Sequence, residues 1–160
     1  MSAAEAGLRA RVSRGEGAQV VAFRLGGELH GCDIGLVDEV VVRLDVHPLP
    51  DVPPDVLGVA FLRGEMLPVV DAAPALGLAL GERGAVVVVA LDGRRLGVAV
   101  EGAAEVVDVP PEALRPAPHR AGDRDAHVLG VARVSAGLVT LIDLADALRE
   151  RTLLHSGDQP

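Results

Sequence analysis

The sequence predicts an all-β protein, mainly strands with short helices, built as two small barrels of about five strands each, side by side. Three observations predict it. Short apolar, β-branched runs closed by glycine and proline follow one another along most of the chain. The chain matches itself at offsets of 66 to 72 residues. Its apolar half holds 26 valines but only two isoleucines, two phenylalanines and no tryptophan or tyrosine. Branched side chains of this kind suit small strand-built cores.

Taken in order, residues 1–18 are Ala, Gly, Arg, Glu and Ser with few apolar positions, and read as a loose N-terminus. Residues 20–25 form the first strand, ended by Gly26-Gly27, and 28–32 return as its hairpin partner. Asp33 is placed to cap a short helix through Glu39, with Ile34, Leu36 and Val37 on one face. Residues 40–44 are the next strand. Four prolines between His47 and Pro54 exclude a central strand there. Residues 58–62 and 66–70 are strands around Arg63-Gly64, and Asp71 caps a short helix through Leu76. Residues 85–91 and 95–100 flank Asp92-Gly93, a strong hairpin signal, and 106–109 follow. Pro110, Pro111, Pro116 and Pro118 mark an irregular connection. Residues 127–134 and 138–142 are strands around Ser135-Ala136-Gly137. Asp143 caps a final helix carrying Leu144, Ala147, Leu148 and Leu153. Residues 151–160 read as a loose tail.

The self-similarity keeps its order. Residues 25–41 match 91–107, with Leu25, Gly27, Gly31, Glu39, Val40 and Val41 meeting identical residues. Residues 48–50 match 116–118 at an offset of 68. Residues 58–76 match 130–148 at an offset of 72, with seven identities in nineteen. Ordered matches of this kind indicate an internal duplication. It assigns a first barrel to about 19–78 and a second to about 84–150.

Composition removes whole classes of chemistry. All 15 basic residues are arginine. Without lysine there is no Walker A loop and no Schiff base. A net charge of −8 and the missing aromatics argue against nucleic acid as a partner. One cysteine, Cys32, supplies neither a disulfide nor a zinc cluster and reads as a small core residue. The longest apolar run, residues 85–91, is too short to span a bilayer, and no signal-peptide run follows Met1, so a cytoplasmic location is expected.

Catalytic motifs are weak. Residues 133–137 approach a nucleophile elbow, but they lie between two strands, and Ser135 reads as a turn residue. Gly15-Glu16-Gly17 precedes a strand, whereas a dinucleotide loop follows one. The five histidines are scattered, with no pair at the spacing that puts two imidazoles on one helix face. Asp71 and Asp143 hold equivalent places in the two halves and read as helix caps. A carboxylate pair there keeps open a small-ligand-binding barrel or a hydrolase. Two features resist a purely structural reading. Arg63 lies in a tight turn, and its repeat counterpart is Ser135, so the scaffold does not demand arginine there. The segment 34–39 sets apolar residues beside acids, which suits a protein interface.

The run Phe23-Arg24-Leu25-Gly26-Gly27-Glu28, then Gly31-Cys32-Asp33-Ile34, then Val37-Asp38-Glu39-Val40 resembles the opening of the CheW-like chemotaxis coupling family. Residues 58–71, Gly-Val-Ala-Phe-Leu-Arg-Gly-Glu-Met-Leu-Pro-Val-Val-Asp, resemble that family's most characteristic segment. Residues 91–109, Arg115-Pro116-Ala117-Pro118, and 129–143 continue the match in order, so it covers about 19–150.

The resemblance implies SH3-like barrels, no cofactor and no enzymatic activity. It implies an adaptor that joins chemoreceptor cytoplasmic tips to the regulatory domain of a CheA-type histidine kinase. Arg63 stands where the family has its important arginine. Receptor or partner contacts are implied for Val37, Glu39, Gly58, Arg63, Ala103 and Val106, in a groove between the barrels. Kinase contacts are implied for Val21 and Ile34, at an end of the first barrel. Two departures stand out. Phe61 replaces the family's usual asparagine, and Gly35 falls inside the expected helix, where it costs about 1 kcal/mol relative to alanine. They keep open a divergent kinase-binding module without receptor contact.

Overall fold

Tight turns organise the chain into hairpins. The computed structural model describes residues 3–117 and 126–150, with side chains from Gly7 onward. Pro118, His119, Leu153, His155 and the expected tail at 151–160 therefore lie outside the described residues. Strands β1 (Ala18–Leu25) and β2 (Glu28–Asp33) pair antiparallel across Gly26-Gly27. β4 (Val56–Leu62) and β5 (Glu65–Val70) pair across Arg63-Gly64. β6 (Arg83–Leu91) and β7 (Arg94–Val109) pair across Asp92-Gly93. In all three turns both central residues have positive φ, the pattern that matches the twist of a two-residue hairpin. β9 (Val128–Val134) and β10 (Gly137–Ile142) form the fourth hairpin, and β3 (Val37–Val41) and β8 (Leu114–Pro116) complete the strands. The two runs expected at 95–100 and 106–109 are one 16-residue strand, bent at Gly102, where φ is +67°.

Two local expectations are corrected. The helix expected from Asp33 through Glu39 is a single 3-10 turn, Ile34–Leu36, with the Asp33 carboxylate accepting from the Gly35 N–H. Gly35 and the β-branched Val37, Val40 and Val41 favour the extended chain, and the ladder with β6 takes over from Val37. The N-terminus expected to be loose forms helix α1 (Ala3–Ser13). Its Leu8 and Val12, four residues apart on one helix face, are buried against Val20, Leu114 and Leu141.

The sheet runs β3-β6-β7-β1-β2-β10-β9-β8, with β5 added alongside β7 and β4 alongside β5. β7 is long enough to serve two groups of strands. Its first half pairs with β6 and β5, and its second half with β1. One lobe thus holds β3, β4, β5, β6 and the start of β7, around Ala60, Leu67, Val69, Val86 and Val88. The other holds β1, β2, β8, β9, β10 and the end of β7, around Val20, Val109, Ala132, Val139 and Leu141. A third cluster joins them, built on Phe23, Leu25, Val87, Leu91, Ile142 and Leu144. The architecture is mainly β and agrees with a pair of barrel-like units. The division of the chain does not. β1 and β2, expected in a barrel spanning about 19–78, pair instead with β7 and β10, and β6 joins β3.

This exchange is symmetrical, and it accounts for the repeat. Val40 pairs with Val87 in the first lobe; in the second, their equivalents at offset 66, Val106 and Val21, pair with each other. The parallel contact Val69–Gly97 has its counterpart in Leu141–Gly31. The bridge His47–Val59 has its counterpart in Arg115–Val131. Each half of the duplication lends strands to the other's core. A shared glycine follows from the same geometry. A Cβ on Gly58 would lie 2.1 Å from the His47 carbonyl oxygen, and one on Gly130 would lie 2.7 Å from that of Arg115.

Candidate partner-docking surface

The β4–β5 hairpin presents Arg63 at its tip. Arg63 is the first turn residue, held at φ +50°, a left-handed conformation in which a long side chain is uncommon. Two-residue hairpin turns favour glycine, asparagine or aspartate, so the arginine is a departure from what the turn asks for. Its side chain is 70% exposed. It donates from Nη1 to the Glu39 carboxylate on β3. That hydrogen bond raises the Arg63 pKa and, with the guanidinium charge beside it, holds the Glu39 carboxyl below the usual carboxylate range.

A second arginine completes the cluster. Arg95, near the start of β7, donates Nε to Asp38 at 3.0 Å, Nη1 to Glu65 at 3.3 Å and Nη2 to Glu39 at 3.4 Å. Asp38 and Glu39 are adjacent in sequence, yet both reach this guanidinium. The β3–β6 ladder slips between Val37 and Glu39, and a bulge of this kind lets neighbouring residues turn to one side. Two arginines thus tie β3, β5 and β7 together at the sheet surface and share Glu39. Arg95 was not singled out from sequence, although a signal existed. Its repeat counterpart is Leu29, so the scaffold does not demand arginine there either.

Beside the charges lies exposed apolar surface. Phe61 and Met66 face each other across β4 and β5 and are 58% and 64% exposed. The Phe61 ring lies 6.0 Å from that of His47, tilted by 56°. Apolar anchors beside charges that set register are the usual composition of a specific interface.

The other expected residues divide. Val37 is half-buried on the same strand as Glu39. Gly58 is buried, and the close approach of the His47 backbone accounts for it. Ala103 and Val106 are exposed beyond the bend at Gly102, on the half of β7 that pairs with β1. Ile34 is half-buried in the 3-10 turn, against the central core. Val21 is 3% exposed and part of that core, so it offers no surface to a kinase, and that expectation is corrected.

Of the two expected caps, Asp143 is one, whereas Asp71 stands just before Ala72, which takes the N-cap place of the 3-10 turn Ala73–Leu76. Asp71 Oδ1 accepts from the Ala73 N–H at 2.9 Å, and burial raises its carboxyl pKa. Asp143 is fully buried; it accepts from the Asp146 N–H at 3.0 Å, at the start of helix α2 (Leu144–Glu150), and from Arg9. They follow β5 and β10, which are not neighbours in the sheet. A carboxylate pair working on one substrate needs a shared, accessible cleft, and this arrangement does not make one of them.

The family model for the CheW-like domain matches residues 19–152. The chain belongs to the CheW-like family. It is 30% identical over 132 residues to a chemotaxis protein CheW of Rhizobium meliloti, covering 80% of this chain and 85% of that protein. It is 30% identical over 134 residues to the chemotaxis protein CheW of Treponema pallidum, covering 79% of each. The fold is similar to the crystal structure of the scaffolding protein TtCheW from Thermoanaerobacter tengcongensis, with a TM-score of 0.64 and 29% identity. That likeness covers 78% of this chain and 88% of the other. The CheW-like match and the CheW relatives support a chemotaxis scaffolding or coupling protein. α1 precedes the residues that the family model matches. Among the described residues, no helix is long and apolar enough to cross a membrane.

Proposed function

We propose that this scaffolding protein couples chemoreceptors to a CheA-type histidine kinase in the cytoplasm, and that the β4–β5 hairpin with Arg63, Glu39 and Arg95 carries one of the two contacts. The observation that supports this reading is Arg63 itself. It sits in an unfavourable turn conformation, it is exposed, and it fills no part of any core. Its ion pair with Glu39 is exposed to solvent, where such pairs add little to stability. A residue kept there for folding would be a poor choice; one that presents a guanidinium to a partner is a good one.

Titration of the full chain against a kinase regulatory domain and a receptor-tip fragment, each alone, tests the reading. Both are expected to bind. Arg63→Ala is expected to keep the melting temperature of the parent and to weaken at least one of the two complexes roughly tenfold, the scale of an interface anchor. Unchanged affinity for both partners would refute the role of Arg63. Kinase binding without receptor binding would favour a kinase-only module.

A further inference from the structure

The second lobe carries a cluster of ligand atoms that the docking surface does not use. His127 lies just before β9, and its carbonyl accepts the Asp143 N–H at 2.8 Å, which pins this point of the chain to the start of α2. Its ring is 2% exposed. Asp146 and Glu150 stand four residues apart on α2, so their carboxylates share one helix face. Both point at the imidazole. His127 Nδ1 lies 3.3 Å from Asp146 Oδ2, and Nε2 lies 2.8 Å from Glu150 Oε2. Nδ1 is buried and has no hydrogen-bond partner among the described residues. Buried polar atoms are normally satisfied, so an orphaned ring nitrogen aimed at a carboxylate asks what completes it.

We propose that His127, Asp146 and Glu150 bind a divalent first-row transition-metal ion of the Zn²⁺ class, stapling the entry of β9 to α2. One donor atom from each residue falls within 4.8 Å of the others. Bonds of about 2.0–2.2 Å put the ligands of one ion roughly 3–4.4 Å apart; the ion takes the unpartnered Nδ1 beside Asp146, and the exposed Glu150 side chain swings over from Nε2 to close the site. Imidazole with two carboxylates is a borderline nitrogen and oxygen set; it suits zinc, cobalt or manganese better than calcium or magnesium, which prefer oxygen alone. The two carboxylates balance the charge of a dication. Asp146 and Glu150 are both exposed on one side, so water completes the coordination and the ion exchanges with solvent. The buried imidazole fixes the position, and the exposed acids close over it. This staple is separate from the partner contact and from the CheW-like reading.

The test is titration of the chelator-treated full chain with ZnCl₂ by calorimetry, with thermal melts in parallel and Co²⁺ absorption as a probe of coordination. One ion per chain is expected, with a melting temperature that rises as Zn²⁺ is added. Asp146→Asn and Glu150→Gln change exposed positions and leave the fold intact by circular dichroism. Each is expected to weaken binding by at least the roughly tenfold that loss of an outer-sphere partner costs. His127→Gln is expected to abolish it, which separates this site from the other four histidines of the chain. Absence of saturable Zn²⁺ binding would overturn the proposal and leave an imidazole held between two carboxylates. Equal binding by parent and acidic variants would overturn it as well, and tighter binding of Ca²⁺ than of Zn²⁺ would overturn the metal class.

Discussion

Gly58 separates a folding role from a contact role. The resemblance to coupling proteins implies a partner contact for this position, whereas the structure places it under the His47 backbone. A methyl group added there would meet the His47 carbonyl oxygen at 2.1 Å, its carbon at 2.7 Å and the Pro48 Cα at 3.0 Å. All three are backbone atoms, so no side chain can swing away. The φ of +149° adds strain for any residue with a Cβ. Relief requires the 47–48 segment to leave β4, which breaks two hydrogen bonds, His47 N–H to Val59 at 2.7 Å and Val59 N–H to His47 at 2.9 Å. At about 1 kcal/mol each, with about 1–3 kcal/mol of backbone strain, Gly58→Ala is expected to cost about 3–5 kcal/mol. For a domain of this size that lowers the melting temperature by roughly 10–15 °C. Thermal and urea unfolding followed by circular dichroism read this directly. A variant that melts within a degree or two of the parent, yet no longer binds a partner, would refute the reasoning and make Gly58 a contact residue.

Other outcomes follow from the same geometry. Leu8→Ala is expected to lower stability by about 2–3 kcal/mol in urea unfolding, because Leu8, with Val12, is packed from α1 into the core of the second lobe. Glu101 accepts the backbone N–H groups of Gly81, Gly27 and Gly26, which hold its carboxyl below the usual carboxylate range. Its folded-state pKa lies below its unfolded one, so its contribution is complete above the ordinary carboxylate pKa and disappears as pH falls through the folded value. The parent should therefore lose urea resistance on acidification, and Glu101→Gln should flatten that loss while lowering stability at neutral pH.

What could be read from the sequence was local. Gly26-Gly27, Arg63-Gly64 and Asp92-Gly93 announce their hairpins because the turn conformation is set by the turn residues themselves. The duplication was legible because identities such as Gly31 with Gly97 recur in order. The exchange of strands was not legible. Offsets between repeats say which segments are alike, not that β1 leaves its own half to lie beside β7. α1 stayed hidden because two apolar residues, Leu8 and Val12, make too weak a periodic signal; its helix rests on burial against strands distant in sequence. Glu39 and Arg63 were legible from the family pattern, and they do pair. Val21 was misplaced because Val20, Val21, Ala22 and Phe23 are all apolar, so alternation could not show that both faces of β1 are buried. Arg95 was visible by its contrast with Leu29, but its three carboxylates come from β3 and β5, which only the fold brings together.

Backbone amide shift mapping tests the central claim most directly. The full chain labelled with ¹⁵N is titrated separately with a kinase regulatory domain and with a receptor-tip fragment. For one of the two, the largest perturbations are predicted at Asp38, Glu39, residues 61–66 and Arg95, and they should shrink in Arg63→Ala. Perturbations confined to β8, β9 and β10 with both partners, leaving the β4–β5 hairpin silent, would contradict the account.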